Sequence, residues 1–122
     1  MRTIYPVFRY ADPRAAIDWL CTAFGFTVNA VHEGPDGGVA HAELTFDTGM
    51  IMLGGRDEPS PRPAEDDWSV YVAVDDVDAH CSRARAAGAE IIREPFDTDY
   101  GSRDYAARDL AGKVWSFGTY RP

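Results

Sequence analysis

Hydrophobic and polar residues follow the same order of patterns twice along this chain. Residues 4–10 alternate with the two-residue period of a strand, and residues 12–24 carry apolar side chains three and four positions apart, as an amphipathic helix does. Three more strand patterns follow this helix, at residues 26–33, 39–46 and 49–54. The first half of the chain is therefore predicted to fold as one strand, one helix and three strands.

The second half repeats this order after an interval of 63 residues, which carries Ala16 onto Ala79 and Gly25 onto Gly88. Its predicted elements are a strand, a helix and three strands, at residues 68–74, 76–87, 90–94, 103–109 and 113–120. Self-similarity over such an interval predicts two copies of one structural module. We expect a binding site in the groove that the two copies enclose.

Turn and capping residues separate these elements. Asp12 is a suitable N-cap with Pro13 in the first helical position, and Gly25 is a suitable left-handed end of the helix. Residues 47–49 and 109–112 have the composition of tight turns. Residues 55–67 contain three prolines among charged residues and predict an extended linker. The predicted organisation is one domain over residues 1–122, with modules at 1–54 and 68–122.

Composition narrows the class of protein. The chain has 122 residues, 45% of them hydrophobic, which suits a single globular domain. No apolar run approaches the roughly 18 residues needed to cross a bilayer, and the start of the chain shows no signal-peptide pattern, so a cytoplasmic protein without membrane contact is predicted. Cys21 and Cys81 are expected to be free thiols.

The charge balance bears on possible partners. Twenty acidic and 12 basic residues give a net charge of −8, which opposes binding to a polyanion, and no basic stripe with interleaved aromatic residues is present. Nucleic acid is therefore not expected as a partner. The same charge favours cationic ligands, although it also serves simply to keep the protein in solution.

Several motifs accompany the two modules, at Arg9–Asp12, Trp19–Leu20, Phe24–Phe26, Val72–Asp78, Gly101–Arg103 and Asp109–Phe117. Together they resemble the vicinal oxygen chelate superfamily, which includes glyoxalase I, extradiol dioxygenases and bleomycin-resistance proteins. The ending is similar to a Gly-x-Arg…Asp-x-x-Gly-x-x-Trp-x-Phe pattern of the bleomycin-resistance-like branch. The resemblance implies an α+β fold in which two βαβββ modules form a curved mixed sheet around a cleft.

In the metalloenzymes of this superfamily, a divalent cation is held by one His, Gln or Glu side chain on each of four strands. Counting from the motifs places Tyr5, Met52, Ser69 and Ser116 at these positions. A phenol must ionise to bind, a thioether is too soft and a serine hydroxyl binds weakly. We therefore expect no metal, no cofactor and no catalytic residue, and an enzyme is not the favoured interpretation.

His41 and Glu43 are the remaining polar candidates. They lie two positions apart on a predicted strand, so both point to one face. Contact with a ligand, or simple solvation, is favoured over a metal or acid–base role. Trp19, Trp115 and Phe117 are expected in the core.

Aromatic rings and thioethers on an inward sheet face suit a planar apolar ligand. By alternation Tyr5, Tyr71, Met50 and Met52 share this face with Ser69 and Ser116, and three residues near the closing motif are possible further contacts. The predicted ligand-binding residues are Tyr5, Val7, His41, Glu43, Met50, Met52, Ser69, Tyr71, Tyr100, Arg103, Tyr105 and Ser116.

The leading functional prediction is a non-catalytic protein that binds an aromatic or cationic antibiotic and confers resistance or self-protection by sequestration. The resemblance implies a homodimer, in which modules can be exchanged between chains. The alternative is a metal-dependent lyase, isomerase or dioxygenase with a displaced site that includes His41 and Glu43. A subunit that recognises a carrier-bound metabolite is a further possibility.

Overall fold

The computed structural model describes residues 5–55 and 70–121, which fall into two compact units. The elements of the first unit are β1 (Val7–Tyr10), α1 (Pro13–Phe24), β2 (Thr27–Glu33), β3 (Val39–Phe46) and β4 (Gly49–Gly55). Those of the second are β5 (Val70–Ala73), α2 (Val77–Ala86), β6 (Glu90–Asp97), β7 (Arg103–Arg108) and β8 (Val114–Gly118). The order confirms the two predicted βαβββ modules and the α+β class.

Each unit is a four-stranded mixed sheet with the same topology. The strand orders are β1-β4-β3-β2 and β5-β8-β7-β6, with the first and last strands of each unit paired in parallel. Parallel neighbours need a long crossover, and here it contains the helix and two antiparallel strands. The register is also repeated, because Val7 lies opposite Met52 in the first sheet and Tyr71 lies opposite Ser116 in the second.

Helix α1 begins and ends where the sequence predicted. The Asp12 carboxylate accepts a hydrogen bond from the Ala15 N–H at 3.1 Å, Pro13 fills the first position, and Gly25 adopts φ 88°. These features satisfy end groups that a helix leaves unpaired. The apolar stripe of α1 is buried on the sheet through Ala16, Ile17, Leu20, Ala23 and Phe24.

Helix α2 has an equivalent start but a thinner apolar face. Asp76 caps it by accepting from the Ala79 N–H at 3.0 Å, and the left-handed residue after it is Gly88. Its buried residues are Val77, Cys81 and Ala84. The core beneath it therefore depends on large rings from the sheet, namely Tyr105, Trp115 and Phe117.

Two strand boundaries differ from the prediction by three residues, and the others by two or fewer. Strand β1 begins at Val7 rather than at residue 4, and β6 continues to Asp97 rather than ending at residue 94. The sequence pattern failed for β6 because Pro95 resembles a strand breaker. Proline is tolerated here because β6 is an edge strand with register irregularities between Ile91 and Phe96.

The predicted linker lies outside the described residues, apart from Gly55, which ends β4. The division into modules 1–54 and 68–122 within one domain stays a prediction. Within residues 5–55 and 70–121, no helix is long and apolar enough to cross a membrane.

Candidate functional site

The first sheet has one face under α1 and one open face. The helix-side residues of its strands are buried, and the alternate positions face the other way. The predicted ligand-binding residues on this open face are Val7, His41, Glu43, Met50 and Met52. Tyr5 lies two residues before β1 and is half-buried. The structure thus places Val7, His41, Glu43, Met50 and Met52 on one open face of the first unit.

A polar network lies on this open face. His41 Nε2 is 3.1 Å from Glu43 Oε2, and Asn29 Nδ2 donates to Glu43 Oε1 at 2.8 Å. The His41 ring also stacks on that of His32, at 5.8 Å between ring centres. The hydrogen bonds from His41 and Asn29 hold the pKa of Glu43 below its ordinary value. Glu43 is therefore an anionic acceptor at neutral pH.

The positions counted for a metal do not form a suitable set of ligands. Met52 and Ser116 lie on the open faces of β4 and β8, Tyr5 precedes β1, and Ser69 lies outside the described residues. Thioether, hydroxyl and phenol groups do not suit a hard or borderline divalent cation. In the part of the chain that the structure describes, no three His, Cys, Asp or Glu side chains are gathered to hold a metal ion.

On the open face of the second sheet, the Tyr71 hydroxyl and the Asp104 carboxylate lie beside Gly118, and the Ser102 hydroxyl is bonded to that carboxylate. Gly118 lies opposite Asp104 in the register, and a Cβ atom added to it would collide with the Asp104 carboxylate and lie 2.7 Å from Tyr71 Oη. Tyr71 Oη donates to the Tyr120 carbonyl at 2.8 Å, and Ser102 Oγ donates to Asp104 Oδ1 at 2.5 Å. Partial burial and the charge of Asp104 raise the pKa of Tyr71.

A crevice of about 540 Å³ lies beside these groups. It is formed by β6, the turn after it, β7 and β8, and its lining combines aromatic rings with carboxylates. Among its lining residues are Arg93, Phe96, Asp99, Tyr100, Asp104 and Ser116. The Arg93 guanidinium lies 3.6 Å from the centre of the Phe96 ring, which is a cation–π contact. The crevice thus offers flat apolar surface and negative charge together.

Two residues predicted as ligand contacts have structural roles instead. Tyr105 borders the crevice, but its side chain is 1% exposed, stacks on Phe117 at 5.0 Å and has its Oη 2.5 Å from His80 Nδ1. Arg103 binds both carboxylate oxygens of Asp78 at 2.9 Å and also contacts Asp97 at 3.1 Å. Alternation along β7 turns the Tyr105 ring toward α2. The N–H groups of the Arg103 guanidinium are already bonded to the carboxylates of Asp78 and Asp97.

Sequence reasoning missed Phe96, Asp99 and Asp104 as site residues. Phe96 was hidden because β6 was predicted to end before Pro95. Asp104 had a usable signal, since alternation along β7 places it on the same face as Ala106, which lies opposite Ser116. Tyr71, Tyr100 and Ser116 were predicted, and Tyr100 and Ser116 line the crevice.

Comparison with known proteins agrees with this architecture. A family model described as the Glyoxalase/Bleomycin resistance protein/Dioxygenase superfamily matches residues 4–117. The crystal structure of TioX from Micromonospora sp. ML1 is 33% identical, with a TM-score of 0.80 over 99% of this chain and 98% of that one.

Two curated proteins are similar in sequence over most of this chain. Uncharacterized protein Mb0911c of Mycobacterium bovis is 30% identical over 115 residues, covering 88% of this chain and 76% of its own. Anthracycline biosynthesis protein DnrV of Streptomyces peucetius is 31% identical over 122 residues, and the match covers 88% of this chain but 44% of DnrV.

Proposed function

Because the chain belongs to the Glyoxalase/Bleomycin resistance protein/Dioxygenase superfamily, we propose that it is a non-catalytic protein that sequesters an aromatic or cationic small molecule, such as an antibiotic. Sequestration needs tight binding without turnover, because free ligand is lowered by mass action alone. The proposal assigns drug resistance or self-protection to the protein and assigns it no chemical step.

The crevice of the second unit is the observation on which this proposal depends. Its volume of about 540 Å³ lies within the usual range for pockets that bind small molecules. Phe96 and Tyr100 offer flat surfaces for stacking, while Asp99 and Asp104 offer negative charge. This combination suits a planar molecule with a basic group better than a small polar metabolite.

The relatives add support for this ligand class. DnrV is named for anthracycline biosynthesis, and anthracyclines are planar aromatic compounds with a basic amine. TioX matches nearly the full length of both chains. A homodimer, with or without exchanged modules, and a cytoplasmic location are further parts of this proposal.

A metal-dependent lyase, isomerase or dioxygenase is the second candidate. The observation in its favour is the His41–Glu43 pair on the open face of the first sheet, with the His32 ring beside it. Elemental analysis of the purified protein separates the two candidates. Stoichiometric, tightly held nickel, iron, manganese or zinc would overturn the sequestration proposal.

Calorimetric titration with doxorubicin tests the binding function. We expect a dissociation constant in the micromolar range or below, with the compound recovered unchanged by mass spectrometry. Ser116 is one of the residues that line the crevice, so Ser116→Phe adds a ring there and is expected to weaken binding at least tenfold. The matched control is Ser82→Phe on the exposed surface of α2, which is expected to bind normally.

Three results would contradict the proposal. No heat of binding at micromolar concentrations would remove the anthracycline-like ligand class. Conversion of the compound would show an enzyme. Equal affinity of the Ser116→Phe and Ser82→Phe variants would show that ligand binds elsewhere.

A further inference from the structure

We propose that Asp104 is the ion-pair partner of a protonated amine on the ligand, so that the crevice selects aromatic amines over neutral aromatic molecules. This inference rests on the proposed binding function and adds the chemical group that is recognised. All of the residues that form this amine site lie in the second unit.

Asp104 differs from Asp78 and Asp97 in its lack of an ion pair among the described residues, and from Asp99 in being half-buried rather than exposed. Asp78 and Asp97 are both ion-paired with Arg103, whereas no ion pair reaches Asp104 from the residues that the structure describes. Asp104 is half-buried, and its only hydrogen bond among those residues is the one that Ser102 Oγ donates to Oδ1. A carboxylate that is partly removed from water without a cation nearby is costly, and a ligand cation would compensate for this cost.

The position of the Asp104 carboxylate is fixed before any ligand arrives. Ser102 is 4% exposed, and its hydroxyl donates to Oδ1. The same oxygen lies against Gly118, where any side chain would displace it. A charge held in place by its neighbours loses little freedom when it binds, so more of the ion-pair energy appears as affinity.

The surroundings of Asp104 supply the aromatic half of the recognition. Phe96 lies opposite Asp104 in the β6–β7 register, and its ring already attracts a cation, the guanidinium of Arg93. Tyr100 is 69% exposed and meets Tyr120 edge to face at 6.0 Å between ring centres, which leaves ring surface available. An aromatic ligand at these rings would bring an attached amine within reach of Asp104.

The charge around the crevice argues against an anionic ligand. Asp97, Asp99 and Asp104 line it together with one cation, Arg93, which is already held over Phe96. An anionic ligand would meet three carboxylates against one guanidinium, so the net negative charge of this lining favours a cation. Neutral aromatic molecules would stack but gain nothing from Asp104.

A matched pair of probes tests this inference without altering the protein. Doxorubicin has a primary amine that is protonated at neutral pH, and N-acetyl-doxorubicin has the same ring system with that charge removed. We expect the native chain to bind doxorubicin on the order of tenfold more tightly in low salt. The difference should narrow in 1 M NaCl, because salt screens a partly exposed ion pair.

The Asp104→Asn variant, titrated with both probes, completes a thermodynamic cycle in which the charge is removed from the ligand, from residue 104 or from both. The amide has the same shape and keeps an oxygen to accept from Ser102, so folding should persist. We expect this variant to bind both probes equally, with the affinity for N-acetyl-doxorubicin unchanged. Glu90→Gln is the charge-matched control, because Glu90 lies at the opposite end of β6 beside Arg108 and outside the crevice. It should keep the tenfold preference.

The outcomes separate this inference from the proposed function. If the native chain binds both probes equally, the role of Asp104 is refuted while sequestration stands. If the preference exists but survives in Asp104→Asn, another group recognises the amine and the inference fails. If neither probe binds, the proposed function and the inference fail together. If the variant does not fold, equal binding of the two probes by the native chain still refutes the inference.

Discussion

Replacement of Asp109 by alanine should destabilise the hairpin that joins β7 to β8. Asp109 is 6% exposed, and its Oδ1 accepts hydrogen bonds from the N–H groups of Ala111 at 2.9 Å and Lys113 at 3.0 Å. Its Oδ2 accepts from Trp115 Nε1 at 3.1 Å, and Trp115 is fully buried. One carboxylate therefore holds both the turn and the largest ring of the core.

The expected cost follows from these three contacts. The two main-chain donors lie in a turn where water can replace the carboxylate, so each is worth about 1 kcal/mol. The indole N–H is in the core, and loss of its charged acceptor costs roughly 1.5–3 kcal/mol. We therefore expect Asp109→Ala to lower the free energy of unfolding by about 3.5–5 kcal/mol, or the melting temperature by roughly 10–20 °C.

Urea denaturation followed by far-ultraviolet circular dichroism measures this effect. Asp109→Asn keeps one oxygen for the main-chain donors but offers an amide to Trp115, and we expect an intermediate loss of about 1–3 kcal/mol. Asp18→Ala on the exposed side of α1 is the control and should change stability by less than about 0.5 kcal/mol. A loss below 1 kcal/mol for Asp109→Ala would refute this account of the closing motif.

Three further predictions concern groups whose partners are known. Asp12→Ala and Asp76→Ala each remove a helix cap and should each cost about 1 kcal/mol in urea denaturation, while serine at either position should restore most of it; no loss would show that the caps are dispensable. Arg103→Gln should raise the pKa of Asp78 toward its ordinary 3.8 in an NMR titration, because the hydrogen bonds from Arg103 now lower it. That depressed pKa stabilises the native protein above about pH 4, and the stabilisation is lost as pH falls through the folded-state value, so an unchanged Asp78 titration would contradict the ion pair. Burial raises the pKa of Tyr105 above its ordinary 10.0. Above pH 10 this phenol ionises in the unfolded chain but stays protonated in the folded protein, so the free energy of unfolding falls as the pH rises further. Tyr105→Phe should remove this alkaline loss in urea denaturation between pH 9 and 11, and an identical pH slope in both proteins would show that Tyr105 is not its source.

Much of the architecture could be predicted because it depends on contacts between near neighbours in the chain. Asp12 and Gly25 cap the helix through their own side chain and backbone conformation, and the Phe46–Gly49 hairpin pairs as its short turn requires. Alternation likewise separated Met52 and Ser116 from the buried residues beside them. The same alternation, applied to Tyr105, would have predicted its place under α2.

The candidate site could be predicted less well from the sequence, because residues that are distant in the chain determine it. Arg103 looked available for a ligand until α2 and β6 supplied Asp78 and Asp97. Asp104 looked like an ordinary surface carboxylate until Gly118, Tyr71 and Ser102 were brought around it.

The order of residues alone predicts two βαβββ modules, because periodicity and capping belong to the chain itself. The resemblance to the superfamily adds the expectation that Tyr5, Met52, Ser69 and Ser116 stand at positions where its enzymes hold a metal, and these are poor metal ligands. The crevice, the Asp104 charge that no described residue pairs with, and the burial of Tyr105 arise only on folding. Strand pairing sets which side chains meet across the sheet, and burial sets what each charge costs. Those two effects turn a repeated pattern into the crevice at which we propose that a ligand binds.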